Sequence, residues 1–325
     1  MLPDWRFLKR CRMQKSCTLD HFNYHCICNM AHNMRTVAMP LGMVVGALFC
    51  RQITLLEEWS HGMITPVLIF MMLFLTYCKV DIRRVCLSWM HLWLLLIQFV
   101  GSVGIYCLLL PLGEIVAQGA MMCVLAPIAM AAVVIGGMLG ADTESMAAFS
   151  LLCNLTTALV APAILHFAGG EGCTFVEIMS RVAPLLILPF VVGQLCRYVV
   201  KPVARWAEQH KNATFYIWLI SLIIIIGRTT SFVIDQTAEN GELEIIMAVV
   251  SAVICVCQFA IGKWLGRKYG DSAAGGQSLG QKNTVLAIWM AQSFLNPLSS
   301  VAPTAYIVWQ NAVNSWQLYK KSIDN

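Results

Sequence analysis

The sequence predicts an all-α polytopic membrane protein of about ten transmembrane helices, arranged as two inverted five-helix repeats in which the fourth and ninth spans are broken. Three observations carry this. Of the 325 residues, 58% are hydrophobic and only 12% are charged, far below the roughly one-quarter charged content of a soluble domain. Apolar runs of about 17–25 residues, the length that about 30 Å of hydrocarbon requires of a helix, recur along almost the whole chain. The loops between them alternate between basic and acidic character, as the excess of Lys and Arg in cytoplasmic loops demands.

In chain order, residues 1–33 (MLPDWRFLKRCRMQKSCTLDHFNYHCICNMAHN) are basic and show no helical period. They read as a disordered tail, or as a misassigned start ahead of Met30 or Met34. Cys11, Cys17, Cys26 and Cys28 with His21 and His25 carry zinc-type donors, but their spacing fits no paired finger, so no metal is expected. The other ten of the 14 cysteines lie in or beside apolar runs, where cysteine acts as a small hydrophobe. The first apolar run starts too late and is too long for a cleaved signal, so it is the first span.

Hydropathy and Gly/Pro punctuation place spans at about 34–50, 62–78, 86–111, 114–139, 144–168, 174–196, 213–233, 244–266, 272–297 and 301–319. With the N-terminus inside, the cytoplasmic side receives Lys79, Arg83, Arg84, Arg197, Lys201, Arg205, Lys211, Lys263, Arg267, Lys268, Lys320 and Lys321. The opposite loops hold Arg51 and mostly acids: Glu57, Glu58, Glu171, Asp235, Glu239 and Glu242. Both termini then lie in the cytoplasm and the protein in the cell (inner) membrane. The halves are residues 34–168 and 174–319, followed by a short tail, 320–325. Five spans per half invert the second half relative to the first, the plan of many secondary transporters. Gln98-Phe99 in the third span and Gln258-Phe259 in the eighth are internal echoes at equivalent places.

The fourth span carries Pro127 with Gly136-Gly137 beyond it, and the ninth carries Gly275-Gly276 and Gly280 before a polar cluster. Proline removes a backbone hydrogen bond and glycine weakens a helix, so both spans are expected to unwind in mid-membrane. Interrupted segments at matching places in two halves point to a transport site. Lys282 lies within the second break, and an intramembrane charge by default marks a pathway or a partner.

The ten-span pattern, the Pro127-centred fourth span, LTTALVAPAILHF in the fifth, Gly280 and Asn283 in the ninth and VWQN at 308–311 in the tenth resemble the bile acid:sodium symporter family over roughly residues 34–319. The resemblance implies a panel and a core, with two broken helices crossing in the core beside two sodium ions and a substrate cavity. It also implies which residues should hold sodium, and most are changed. The family's Pro-Gly-Gly-Thr-Ala-Ser-Asn falls on Pro127, Ile128, Ala129, Met130, Ala131, Ala132 and Val133. A Ser and a Thr of the fifth span fall on Met146 and Ser150. Glu-x-Gly-x-Gln-Asn falls on Ser278, Leu279, Gly280, Gln281, Lys282 and Asn283, while Gln98 keeps the family type. The substrate contacts expected are Pro127, Met130, Lys282, Asn283 and Thr284, and the ion or coupling positions expected are Gln98, Ser150, Gln258 as the echo of Gln98, Ser278, Gln281 and Lys282.

Sodium needs several hard oxygens, and this set lacks a carboxylate and adds an ammonium. Lys282 is therefore expected to stand as a tethered cation in place of a sodium ion. No cofactor is expected; sodium and a proton are the candidate coupling ions. Positive half-helix ends and Lys282, with no buried carboxylate expected against them, favour an organic anion, either bile-acid-like or a small carboxylate. The other readings are a sodium-coupled symporter with rebuilt ion sites, a channel or receptor on the same fold, and an arsenite-type efflux permease. No span carries a His-x-x-x-His pair, paired aspartates or a Ser/His/acid set, so no enzyme is expected. The partners expected are the lipid bilayer and the small anion, without nucleic acid; the oligomeric state has no sequence signal.

Overall fold

The computed structural model describes residues 41–324 apart from 81, 83–86, 170–173, 211–212 and 236–240. The tail 1–33 with its cysteines and histidines, the start of the first span, Arg83, Arg84, Glu171, Lys211 and Glu239 lie outside these residues. A helical stretch at 41–48 turns at Phe49 into α1 (Cys50–Trp59). There follow α2 (Ile64–Tyr77), α3 (Trp89–Leu109), α4 (Glu114–Leu125), α5 (Met130–Met138), α6 (Thr143–Gly169) and α7 (Phe175–Tyr198). Then come α8 (Lys201–Gln209), α9 (Ala213–Asp235), α10 (Gly241–Lys268), α11 (Ser272–Gly280), α12 (Thr284–Phe294) and α13 (Val301–Asp324).

Among the described residues five helices are long and apolar enough to cross a membrane, or six if α1 and α2, bent by 87°, form one span. The chain is therefore a multi-pass membrane protein. On α10, Ile245, Val249, Val253 and Val256 are all exposed and recur at helical spacing. Such an apolar stripe would be a liability in water and is the face a helix turns to lipid. The other face of α10 buries Met247, Ile254, Cys255 and Phe259 in a cluster with Val116, Ala120 and Cys123 of α4 and Ala302 and Tyr306 of α13. A second, larger cluster joins Leu73 of α2, Met121 of α4, Leu165 of α6, Leu186 of α7, Ile225 of α9 and Ile288 of α12. Within lipid, close contact and hydrogen bonds hold such faces together, because burial from water no longer does.

Two expected spans are present as halves. Helix α4 has 12 residues and α12 has 11, about 18 and 16 Å at 1.5 Å per residue, roughly half the hydrocarbon thickness. Their far ends are tied down by polar side chains. Gln118 in α4 donates to Ala168 O at 2.9 Å and accepts from Asn296 N at 3.1 Å, gathering the ends of α6 and α12. Asp271 accepts from Ala274 N at 2.7 Å to cap α11, and its other oxygen accepts from Asp142 N at 2.8 Å, next to the start of α6.

The first span departs from expectation. Helix continues to Trp59 rather than ending near residue 50, and Glu57, read as a loop acid, is buried at 3% exposure. Its Oε1 accepts from Thr65 N at 3.2 Å and from Thr65 Oγ1, and Arg228 Nη1 lies 3.9 Å away. These partners offset the cost of taking the carboxylate out of water. A carboxylate that reads as a loop acid is thus buried, beside Arg228 and not against Lys282.

Candidate functional site

Pro127 has no N–H with which to continue α4, and it forces the preceding Ala126 out of the helical region, to φ −51° and ψ 136°. Helix α4 stops at Leu125 and α5 starts at Met130. In the other broken span α11 ends at Gly280, and Gln281 turns extended at φ −92° and ψ 101° before α12. The two breaks lie antiparallel. Ala129 N donates to Gln281 O at 2.9 Å, Asn283 N donates to Pro127 O at 2.8 Å, and Ile128 faces Lys282. Each break thus satisfies backbone groups of the other that hydrocarbon would leave unpaired.

A broken helix also leaves its last carbonyls without partners. At the end of α4, three consecutive carbonyls are met by side chains from three different segments. Cys123 O accepts from Gln258 Nε2 of α10 at 3.1 Å, Val124 O from Lys282 Nζ at 2.9 Å, and Leu125 O from Gln98 Nε2 of α3 at 2.9 Å. The C-terminal end of a helix carries partial negative charge, so an ammonium there is electrostatically favoured. Lys282 is 1% exposed, and among the described residues no carboxylate pairs with it. Its own N–H donates to Gln310 Oε1 at 2.9 Å. The two echoing glutamines, Gln98 and Gln258, therefore converge on one helix end.

The α11 end is met from α13. The Tyr306 hydroxyl donates to Gly280 O at 2.8 Å and accepts from Gln258 Nε2 at 3.0 Å. Asn314 Nδ2 donates to Gln281 Oε1, and Asn314 Oδ1 accepts from Gln277 Nε2 at 2.8 Å. Tyr306, Gln310, Asn314 and Gln317 are all buried and follow one another at intervals of four, four and three residues, so they form one polar stripe on α13. Gln277 and three of these four residues went unread in the sequence; the helical spacing of buried-type amides was the available signal. Tyr306→Phe removes a hydroxyl bonded on two sides and is expected to destabilise the protein by about 1–3 kcal/mol. An unchanged thermal midpoint in detergent would show that Gly280 O finds another donor.

The residues expected at the site fall as follows. Pro127, Gln281 and Lys282 are at the crossing itself. Asn283 Oδ1 accepts from Leu286 N at 3.3 Å, so this side chain caps α12. Thr284 is buried in the first turn of α12. The Ser278 hydroxyl is buried and has no hydrogen-bond partner among the described residues. Ser150 is buried on α6, where its carbonyl accepts from Asn154 Nδ2 at 2.7 Å. Met130 begins α5, its side chain lying outside the described ones. Two of the positions matched to sodium ligands, Ala132 and Met146, sit in an apolar cluster with Ile128, Phe149, Cys153 and Leu279. Among the described residues no group of three or more His, Cys, Asp or Glu is placed to hold a metal ion.

The sequence profile of the SBF-like CPA transporter family matches residues 56–312, which include both breaks, Lys282 and Gln310. No curated protein matches the chain.

Proposed function

Because the chain belongs to the SBF-like CPA transporter family, whose members are membrane transporters related to the bile acid:sodium symporters, we propose that it is a sodium-independent secondary transporter of organic anions, working by alternating access. The observation that supports this most is the Lys282 ammonium on Val124 O, at the end of a half-helix inside the membrane. A cation at that end offsets the helix dipole. A lysine supplies it covalently, whatever the sodium concentration. The apolar cluster around Ala132 and Met146 speaks against sodium at those positions, since the ion needs oxygen ligands there. In this reading the ten spans form two inverted repeats, 34–168 and 174–319, and both termini face the cytoplasm of a cell membrane. The starts of α5 and α12 then turn positive dipole ends toward the path of the anion. The start of α5 has no side-chain cap.

The test is uptake of labelled benzoate and labelled cholate into proteoliposomes, with a sodium gradient, a proton gradient and no gradient imposed in turn. Uptake that ignores sodium is expected. Acceleration by the proton gradient would add proton coupling, and strict sodium dependence would overturn the proposal.

A further inference from the structure

The crossing leaves a second intramembrane cation unused. Arg228 lies two turns before the end of α9, inside an apolar run, and its side chain is only 20% exposed. Among the described residues its one acidic neighbour is Glu57 Oε1 at 3.9 Å, too far for a hydrogen bond. That oxygen is already taken by Thr65 N and Thr65 Oγ1. Glu57 is thus satisfied without Arg228, while Arg228 is neutralised without a hydrogen bond to any of the described residues. A guanidinium offers five N–H donors in a planar fork that fits a carboxylate.

The next residue on α9 shows what lies alongside. Thr229 Oγ1 accepts from Gln292 Nε2 of α12 at 3.1 Å and lies 3.5 Å from Thr304 Oγ1 of α13. Gln292 Nε2 also donates to Ser300 Oγ at 3.4 Å. At this level α9 therefore stands between the α1–α2 pair, which holds Glu57 and Thr65, and a polar wall from the segments that follow the second break.

We propose that Arg228 recognises the carboxylate of the transported anion, and that Glu57 is an internal competitor which occupies its field when the site is empty. The substrate carboxylate takes the guanidinium fork as a bidentate pair, and Glu57 stays on Thr65. This rests on the organic-anion reading above. A free carboxylate gains two charge-assisted hydrogen bonds where Glu57 makes none with Arg228, which sets the direction of the exchange.

The test uses the purified full chain, with cholate and its methyl ester as probes, read both by thermal shift and by uptake in proteoliposomes. Arg228→Gln is expected to raise the half-saturating cholate concentration by about ten- to a hundredfold. Arg228→Lys should fall between, because a point charge replaces the fork. Glu57→Gln should lower the half-saturating concentration by removing the competitor, and it decides the matter if Arg228→Gln does not fold. The methyl ester should be indifferent to all three changes. Cholate handled equally by wild type and Arg228→Gln, or less tightly by Glu57→Gln, overturns the assignment and leaves anion transport standing. A wild type that neither binds nor carries cholate or benzoate overturns both.

Discussion

Lys282→Gln should bring sodium-free uptake down to about a hundredth of the wild-type rate, lower the thermal midpoint, and regain part of both when sodium is added. The change removes the donor that meets Val124 O and the charge that offsets the end of α4. A buried carbonyl left unpaired costs about 1–3 kcal/mol, and the lost charge–dipole interaction costs up to about 2 kcal/mol. A total of about 1–5 kcal/mol, at tenfold per 1.4 kcal/mol, leaves the intact crossing a minor state by a factor on the order of a hundred at the middle of the range. Glutamine also returns an oxygen to a position where the bile acid:sodium symporters, by the resemblance, carry one. Sodium can then supply the missing charge. Lys282→Met makes the same space without an oxygen, so it should lose as much and regain nothing from sodium. Proteoliposome uptake and thermal unfolding, each with and without sodium, read all four outcomes. Wild-type uptake in both variants would mean that the α4 end needs no cation.

How much of this was legible depended on whether the signal lay along the chain or across it. Membrane class followed from run length, and both breaks from Pro127 and the glycines before Lys282, because backbone chemistry acts locally. Lys282 stood out as a charge with no periodic reason to be there. Its acceptor did not, since Val124 lies in another half-helix. Gln98 and Gln258 were visible as a pair at equivalent places in the two halves, yet only the packed helices bring both to α4. Asn283, expected at the substrate cavity, is also an Asn just before an apolar helix, which is a capping signal, and its side chain caps α12. Glu57 and Arg228 show the limit most clearly. A hydropathy window places one at a loop and averages the other into a run of isoleucines, and their mutual approach is a tertiary fact.

Gly275→Val should prevent the chain from accumulating as a monodisperse species, and Gly275→Ala should lower stability by about 1–3 kcal/mol, the range for overpacking a tight contact. Gly262 and Gly266, four residues apart on α10, face Gly275 of α11 in a small-residue contact of the kind that lets membrane helices approach closely. A Cβ at Gly275 would strike Gly262 O and would come within 2.7 Å of Gly266 Cα and 2.8 Å of Gly266 N. All three are backbone atoms, so no side-chain rotation relieves the clash, and α11 must move away from α10. Such a movement carries Gly280 and Lys282 with it, because α11 runs directly into the second break. The Tyr306–Gly280 and Lys282–Val124 bonds would then lengthen together. Gly104→Ala on α3 is the matched control: an added Cβ there meets no heavy atom within 4 Å, and helix propensity favours alanine by about 1 kcal/mol. Size-exclusion profiles and thermal midpoints of the three variants separate the cases. If Gly275→Ala proved as stable as Gly104→Ala, α10 and α11 would not be in backbone contact. If Gly275→Ala folds and sodium-free uptake falls further than stability does, the register of Lys282 against α4 is what the glycine contact maintains.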